Sequence, residues 1–201
     1  MSDVKIHNLF PVPIFQYKLK NHEETNQELL NYIYELQKKD KVGNPHSNKG
    51  GWHSQNFDII NEGPPINFIN KSKDFLKDII SNRMGWKYVP NKQRIVAMWA
   101  IINKKNSYNV KHNHQNCYLS SAYYVKKPKD SGEITFFDPK EAKTYRFPEI
   151  EKNTDFSVEK ITIKPEEGEL LIFPSYLYHE VSENLVNEDR IVVSFNVDIG
   201  Y

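Results

Sequence analysis

The sequence predicts a mainly β domain, a sandwich or barrel, with two helices ahead of it. Three observations carry this. From residue 92 the apolar pattern settles into period two, in short runs rich in β-branched and aromatic side chains. Turn-forming segments such as KKPKDSG, KPEEG and ENLVNED separate those runs. Before residue 92, two stretches repeat apolar residues at helical spacing.

Taken in order, residues 4–20 contain LFPVPIFQYKL, whose prolines suit an edge strand or an extended arm. Residues 23–39 read as a helix: Leu29, Leu30, Ile33 and Leu36 share a face, acidic residues lead and lysines close. Residues 41–56, KVGNPHSNKGGWHSQN, read as a polar loop. A second helix is expected over about 65–84, with Phe68, Ile69, Phe75, Leu76, Ile79 and Ile80 buried and Gly85 after its end. Strands are expected in RIVAMWAIIN, CYLSSAYYV, GEITFFD, FSVEKITIK, GELLIFP, YLYHEV and RIVVSFNVDI. No repeat or boundary interrupts the chain. It reads as one domain over 1–201, helical over about 21–85, with a β core over about 92–199.

Composition narrows the function. The chain has 201 residues, enough for one domain with a sizeable core. Its 13% aromatic residues compensate for a modest 38% apolar content. A net charge of +1 gives no nucleic-acid footprint. Cys117 is the single cysteine, which with the lack of a signal-peptide pattern or long apolar run leads us to expect a cytoplasmic protein without a membrane span.

Three histidines stand out. His112 and His114, in HNHQN, are two apart and share a face if that segment is a strand. His179 comes from a distant strand, in FPSYLYHEV. Two ligands from one strand and a third from another let a β barrel hold a metal facially, with the other coordination positions open. Arg190 opens the last strand, and a guanidinium offers a planar fork to a carboxylate. Taken singly, each is more often an ordinary residue. Their joint order and spacing argue for a site.

The run VKHNHQNCYLSSAYYVKKPKDSGEITFFDP, followed by KPEEGELLIFPSYLYHEVSENLVNEDRIVVSFNV, resembles the double-stranded β-helix (jelly-roll) core of Fe(II)/2-oxoglutarate-dependent dioxygenases. SNKGGWHS at 47–54 resembles the same group, so the likeness spans about residues 9–198. It implies a jelly-roll core buttressed by the two helices, Fe(II) as cofactor and 2-oxoglutarate as cosubstrate. It also implies hydroxylation of a small-molecule or peptidyl substrate with release of succinate and CO2. His112 and His179 match the family's iron-binding histidines. His114 stands where the general family has a carboxylate, a departure with three readings. The site uses three histidines, or a carboxylate from elsewhere completes it, or His114 and Asn116 form the strand pair.

Arg190 matches the residue that takes the distal carboxylate of 2-oxoglutarate, and Tyr124 and Ser120 match hydroxyl-bearing positions of that pocket. Ser194 and Asn196 share Arg190's face by strand parity. No catalytic group is expected beyond the metal centre. Trp52 and His53 read either as part of a substrate lid or as an anchor in a mobile loop. The loops at 41–56 and 140–155 are expected to help choose the substrate. Two other classes compete: a cupin-like metalloenzyme that does not use 2-oxoglutarate, and a non-catalytic jelly-roll binding module. The proline-bearing N-terminal strand also offers an edge for pairing in a homodimer.

Overall fold

The computed structural model describes residues 4–87, 89, 93–140 and 148–200. Residues 141–147 of the loop at 140–155, expected to help choose the substrate, therefore lie outside the described residues. Among the described residues, eleven strands and two helices follow in the order β1 (Phe15–Lys18), α1 (His22–Lys39), β2 (Asn48–Lys49), β3 (Trp52–His53), α2 (Pro64–Asp78), β4 (Gln93–Asn103), β5 (Tyr108–His112), β6 (Leu119–Lys126), β7 (Ile134–Phe137), β8 (Lys160–Ile163), β9 (Glu169–Pro174), β10 (His179–Val181) and β11 (Arg190–Ile199). A π-helical turn over Ile79–Arg83 extends α2, and Gly85 follows at φ 65°.

The strands form two antiparallel sheets. One has six strands in the order β1-β9-β6-β11-β4-β3, the other five in the order β2-β5-β10-β7-β8. β1 is an edge strand, as its flanking prolines foreshadow, although it begins only after them. Alternation along β6 divides the six-stranded sheet into two faces. Tyr123 and Val125 point into the cluster shared with the helices, where Leu29, Ile33 and Phe68 are buried. Ala122 and Tyr124 point the other way and meet Ile134 and Phe136 of the five-stranded sheet. The helices thus cover one face, and the space between the sheets is left for the site.

Local chemistry explains the helices. Glu23 and Glu24 lie in the first turn of α1 and Lys38 and Lys39 in its last, matching the helix dipole. Prolines begin α2, where their missing N–H costs nothing. Phe68 sits 4.5 Å from Tyr123 and 6.2 Å from Phe195, ring centre to ring centre, which clamps α2 onto the sheet. Tyr123 reaches past it to donate its hydroxyl proton to Asn26 Oδ1 of α1 at 2.6 Å.

The segment 41–56 differs from the loop expected. β2 pairs with β5 in one sheet and β3 with β4 in the other, so this stretch straps the two sheets together. Main-chain pairing on both sides fastens it, and it is not a free lid. β5 is the second difference: YNVKH is a strand of its own, between the runs RIVAMWAIIN and CYLSSAYYV.

Candidate active site

β5 and β10 run antiparallel with His112 directly opposite His179, and His179 also faces Phe136 of β7. The ring centres of His112 and His179 are 4.3 Å apart. His114 lies two residues beyond the end of β5, so the shared-face argument does not place it. Two other contacts do. Its backbone N–H donates to Ser175 O at 2.9 Å. Its ring stacks on Trp99 of β4, 5.6 Å away and tilted by 27°. It then lies 5.3 Å from His179 with the ring planes 7° apart.

One donor nitrogen from each of His112, His114 and His179 falls within 4.8 Å of the others, and no other such group of three occurs among the described residues. The ligand set thus brought together is all histidine. Among the described residues no carboxylate joins this group, and Asn116 sits in a bend at φ 61°, not on a strand beside His114. The Nδ1 atoms of His112 and His179 lie 2.7 Å and 3.0 Å from the carbonyls of Val110 and Leu177. An N–H donated there leaves Nε2 with its lone pair for a metal. Burial lowers the pKa of all three, that of His114 to about 4 and that of His179 to about 3. At neutral pH they are uncharged, the form that ligates. This donor set fits Fe(II): three neutral nitrogen ligands with room for further ligands beside them.

That room is a cavity of about 650 Å³. It is lined by the three histidines, by Tyr124, Arg190 and Ser194, and by the strap residues His46 and His53. Arg190 is 2% exposed, and among the described residues no carboxylate lies within ion-pair distance of it. Its Nη1 donates to Ser131 O at 2.6 Å and to Ser182 O at 3.3 Å. Burial lowers its pKa while Tyr124 and Glu133 act to raise it, and a guanidinium stays charged throughout. Tyr124 is buried beside it, and burial keeps its hydroxyl protonated.

Other expected residues fall elsewhere. Ser120 and Asn196 do not line the cavity: they are cross-strand partners on β6 and β11, and Ser120 Oγ donates to Asn196 Oδ1 at 2.9 Å. Ser121 lines the cavity instead. Trp52 is in the core, its indole N–H bonded to Asp40 O at 2.7 Å. His53 does reach the cavity, stacked 5.7 Å from Trp99 with planes 15° apart. Sequence reasoning missed Trp99, although it stands out as the one aromatic ring in the strand RIVAMWAIIN. It also missed the carbonyl pair behind Arg190, because backbone acceptors have no side-chain signature.

A family model described as "Putative 2OG-Fe(II) oxygenase" matches residues 97–196, which contain all three histidines and Arg190. No curated protein sequence matches the chain. Among solved structures, a Pseudomonas putida prolyl-4-hydroxylase aligns with a TM-score of 0.66 at 12% identity, over 94% of each chain. A Trichoplax adhaerens prolyl hydroxylase in complex with a peptide fragment of hypoxia inducible factor aligns at 0.63 and 13%, over 92% of this chain and 83% of that one. HygX from Streptomyces hygroscopicus, with nickel and 2-oxoglutarate bound, aligns at 0.62 and 10%, over 93% and 83%. At such identities these likenesses establish the fold, a double-stranded β-helix. With that fold, the matched motif and a donor set suited to Fe(II), the chain belongs to the 2OG-Fe(II) oxygenase family.

Proposed function

We propose that the protein hydroxylates a C–H bond of a small-molecule or peptidyl substrate, converting 2-oxoglutarate and O2 to succinate and CO2. One oxygen atom enters the substrate and the other enters succinate, so the balance closes. A single observation carries the reading: three neutral imidazoles converge in the cavity that also holds a buried guanidinium with no carboxylate among the described residues within ion-pair distance. Fe(II), if bound by these residues, would supply open coordination positions and redox chemistry, while the electrons that reduce O2 would come from 2-oxoglutarate and from the substrate C–H bond.

The chain's own residues do the rest. His112, His114 and His179 hold the metal. Arg190 pairs with the distal carboxylate of 2-oxoglutarate, where a buried cation with only carbonyls in hydrogen-bond contact has most to gain. Tyr124 and Ser194 line the same pocket and offer hydroxyl hydrogen bonds. Val192, Ile134 and Phe173 restrict water around the reacting groups. The peptide bound by the Trichoplax neighbour is a reason to include peptides among the substrates to be screened.

The all-histidine donor set also favours a second reading, a cupin-like metalloenzyme without 2-oxoglutarate. One experiment separates them. Anaerobic Fe(II) and then 2-oxoglutarate are added to the apo-protein while the visible spectrum is recorded. We expect a charge-transfer band that needs both additions and is missing in Arg190→Ala. Iron binding with no band rejects the cosubstrate role and favours the second reading.

A further inference from the structure

The wall behind Arg190 is built from main chain. Arg190 Nη1 donates to Ser131 O and Ser182 O, and the residue beside both is Gly132, at φ 96°. A Cβ on Gly132 would stand 2.3 Å from Arg190 Nη1 and 2.2 Å from Ser182 O. No L side chain fits at either distance, and this φ suits glycine in any case. The turn is fastened from several sides. Ser131 Oγ donates to Pro128 O at 2.6 Å, Ser182 N to Glu133 O at 2.9 Å, and Glu133 N to Ser182 Oγ at 2.8 Å. Arg190 lines the cavity, whereas Ser131, Gly132 and Ser182 do not. One arm of the guanidinium is therefore tied to the wall, and the rest of the fork remains for a ligand.

We propose that Gly132 is a positioning residue. By leaving room for the Ser131–Ser182 carbonyl cradle it fixes the depth of Arg190, and with it the length of 2-oxo diacid the pocket accepts. This rests on the cosubstrate reading above. A methyl group at Gly132 drives the guanidinium off its cradle toward the cavity, the side with free volume. The pocket then shortens from the Arg190 end. A five-carbon diacid loses more than a four-carbon one.

The test is calorimetric binding of 2-oxoglutarate and of oxaloacetate to Zn(II)-loaded wild type and Gly132→Ala. We expect the variant to lose at least tenfold in affinity for 2-oxoglutarate and clearly less for oxaloacetate, with Zn(II) affinity unchanged. Unchanged 2-oxoglutarate binding, or an equal loss for both acids, overturns the proposal. Wild type that binds Zn(II) but neither acid removes the cosubstrate reading, and this inference with it. A measurement on wild type covers the case in which Gly132→Ala does not fold. Nitrogen-15 NMR follows the Arg190 guanidinium, assigned by its loss in Arg190→Lys. A preset cradle gives restricted Nη1 rotation both before and after 2-oxoglutarate is added. Free rotation in the absence of 2-oxoglutarate overturns the proposal.

Discussion

His114 stands where the general family pattern has a carboxylate, and of the three histidines at the candidate site it is the one held least by the sheet. His112 and His179 face each other across a β ladder, whereas His114 depends on one backbone hydrogen bond and on the ring of Trp99. Trp99 is itself backed by His53, so His53, Trp99, His114 and His179 form a run of nearly parallel rings. Groups that orient a metal ligand typically contribute about 10–100-fold to affinity. Trp99→Leu is expected to weaken Co(II) binding by about that factor, measured by competition with a chelator. Trp99→Phe, which keeps a ring, should recover much of the loss. Because Trp99 adjoins the centre, Co(II) should also quench the tryptophan fluorescence of wild type more than that of Trp99→Phe. Co(II) affinity unaltered in Trp99→Leu would show that His114 needs no such support.

At the scale of elements, legibility follows burial. β4, β6, β9 and β11 announce themselves because their apolar residues alternate or run continuously into a core. The helices do so by spacing and end charges. β5 is different. In YNVKH, Asn109 is its one buried residue, and the strand exists because β2 and β10 lie on either side of it. The spacing of His112 and His114 is therefore visible in the sequence, whereas the strand that carries the first is not. β2 and β3 have two residues each, too few for any periodicity, and Gly50 and Gly51 between them suggest mobility. The structure uses one of those glycines for close packing. A Cβ on Gly51 would lie 2.6 Å from Asn103 Oδ1 and 2.7 Å from Ile102 O. Gly51→Ala should therefore destabilise the protein by about 1–3 kcal/mol. Lys49→Ala, at an exposed position on the same strap, should stay within about 0.5 kcal/mol of wild type. Urea denaturation of both checks this, and equal stabilities would mean that the strap yields like a loose lid.

For the whole molecule, the buried and half-buried histidines link stability to pH. His53 and His114 have pKa values lowered to about 4 and His179 to about 3, chiefly by burial, and His112 is lowered as well. In the unfolded chain each returns to about 6.5. Between these values the unfolded state binds more protons, so acid favours it. The contribution is fully present above about pH 6.5 and is lost as pH falls toward 4. Each such group adds a slope of up to about 1.4 kcal/mol per pH unit. Three together approach about 4 kcal/mol per unit, against a total stability of about 5–15 kcal/mol for an ordinary domain. The metal-free protein is therefore expected to lose most of its stability between pH 6.5 and pH 5. His53→Gln should flatten the profile by about one group's slope while leaving three histidines to bind metal. A bound ion competes with protons for the same nitrogens, so Zn(II) at 100 times its dissociation constant should add about 2.7 kcal/mol at pH 7.5. That increment should shrink as protons displace the ion. Denaturation of the apo and Zn(II) forms at half-unit steps from pH 7.5 to 4.5 measures both curves. An apo profile that stays flat down to pH 5 would show that these imidazoles are solvated and not held neutral by burial.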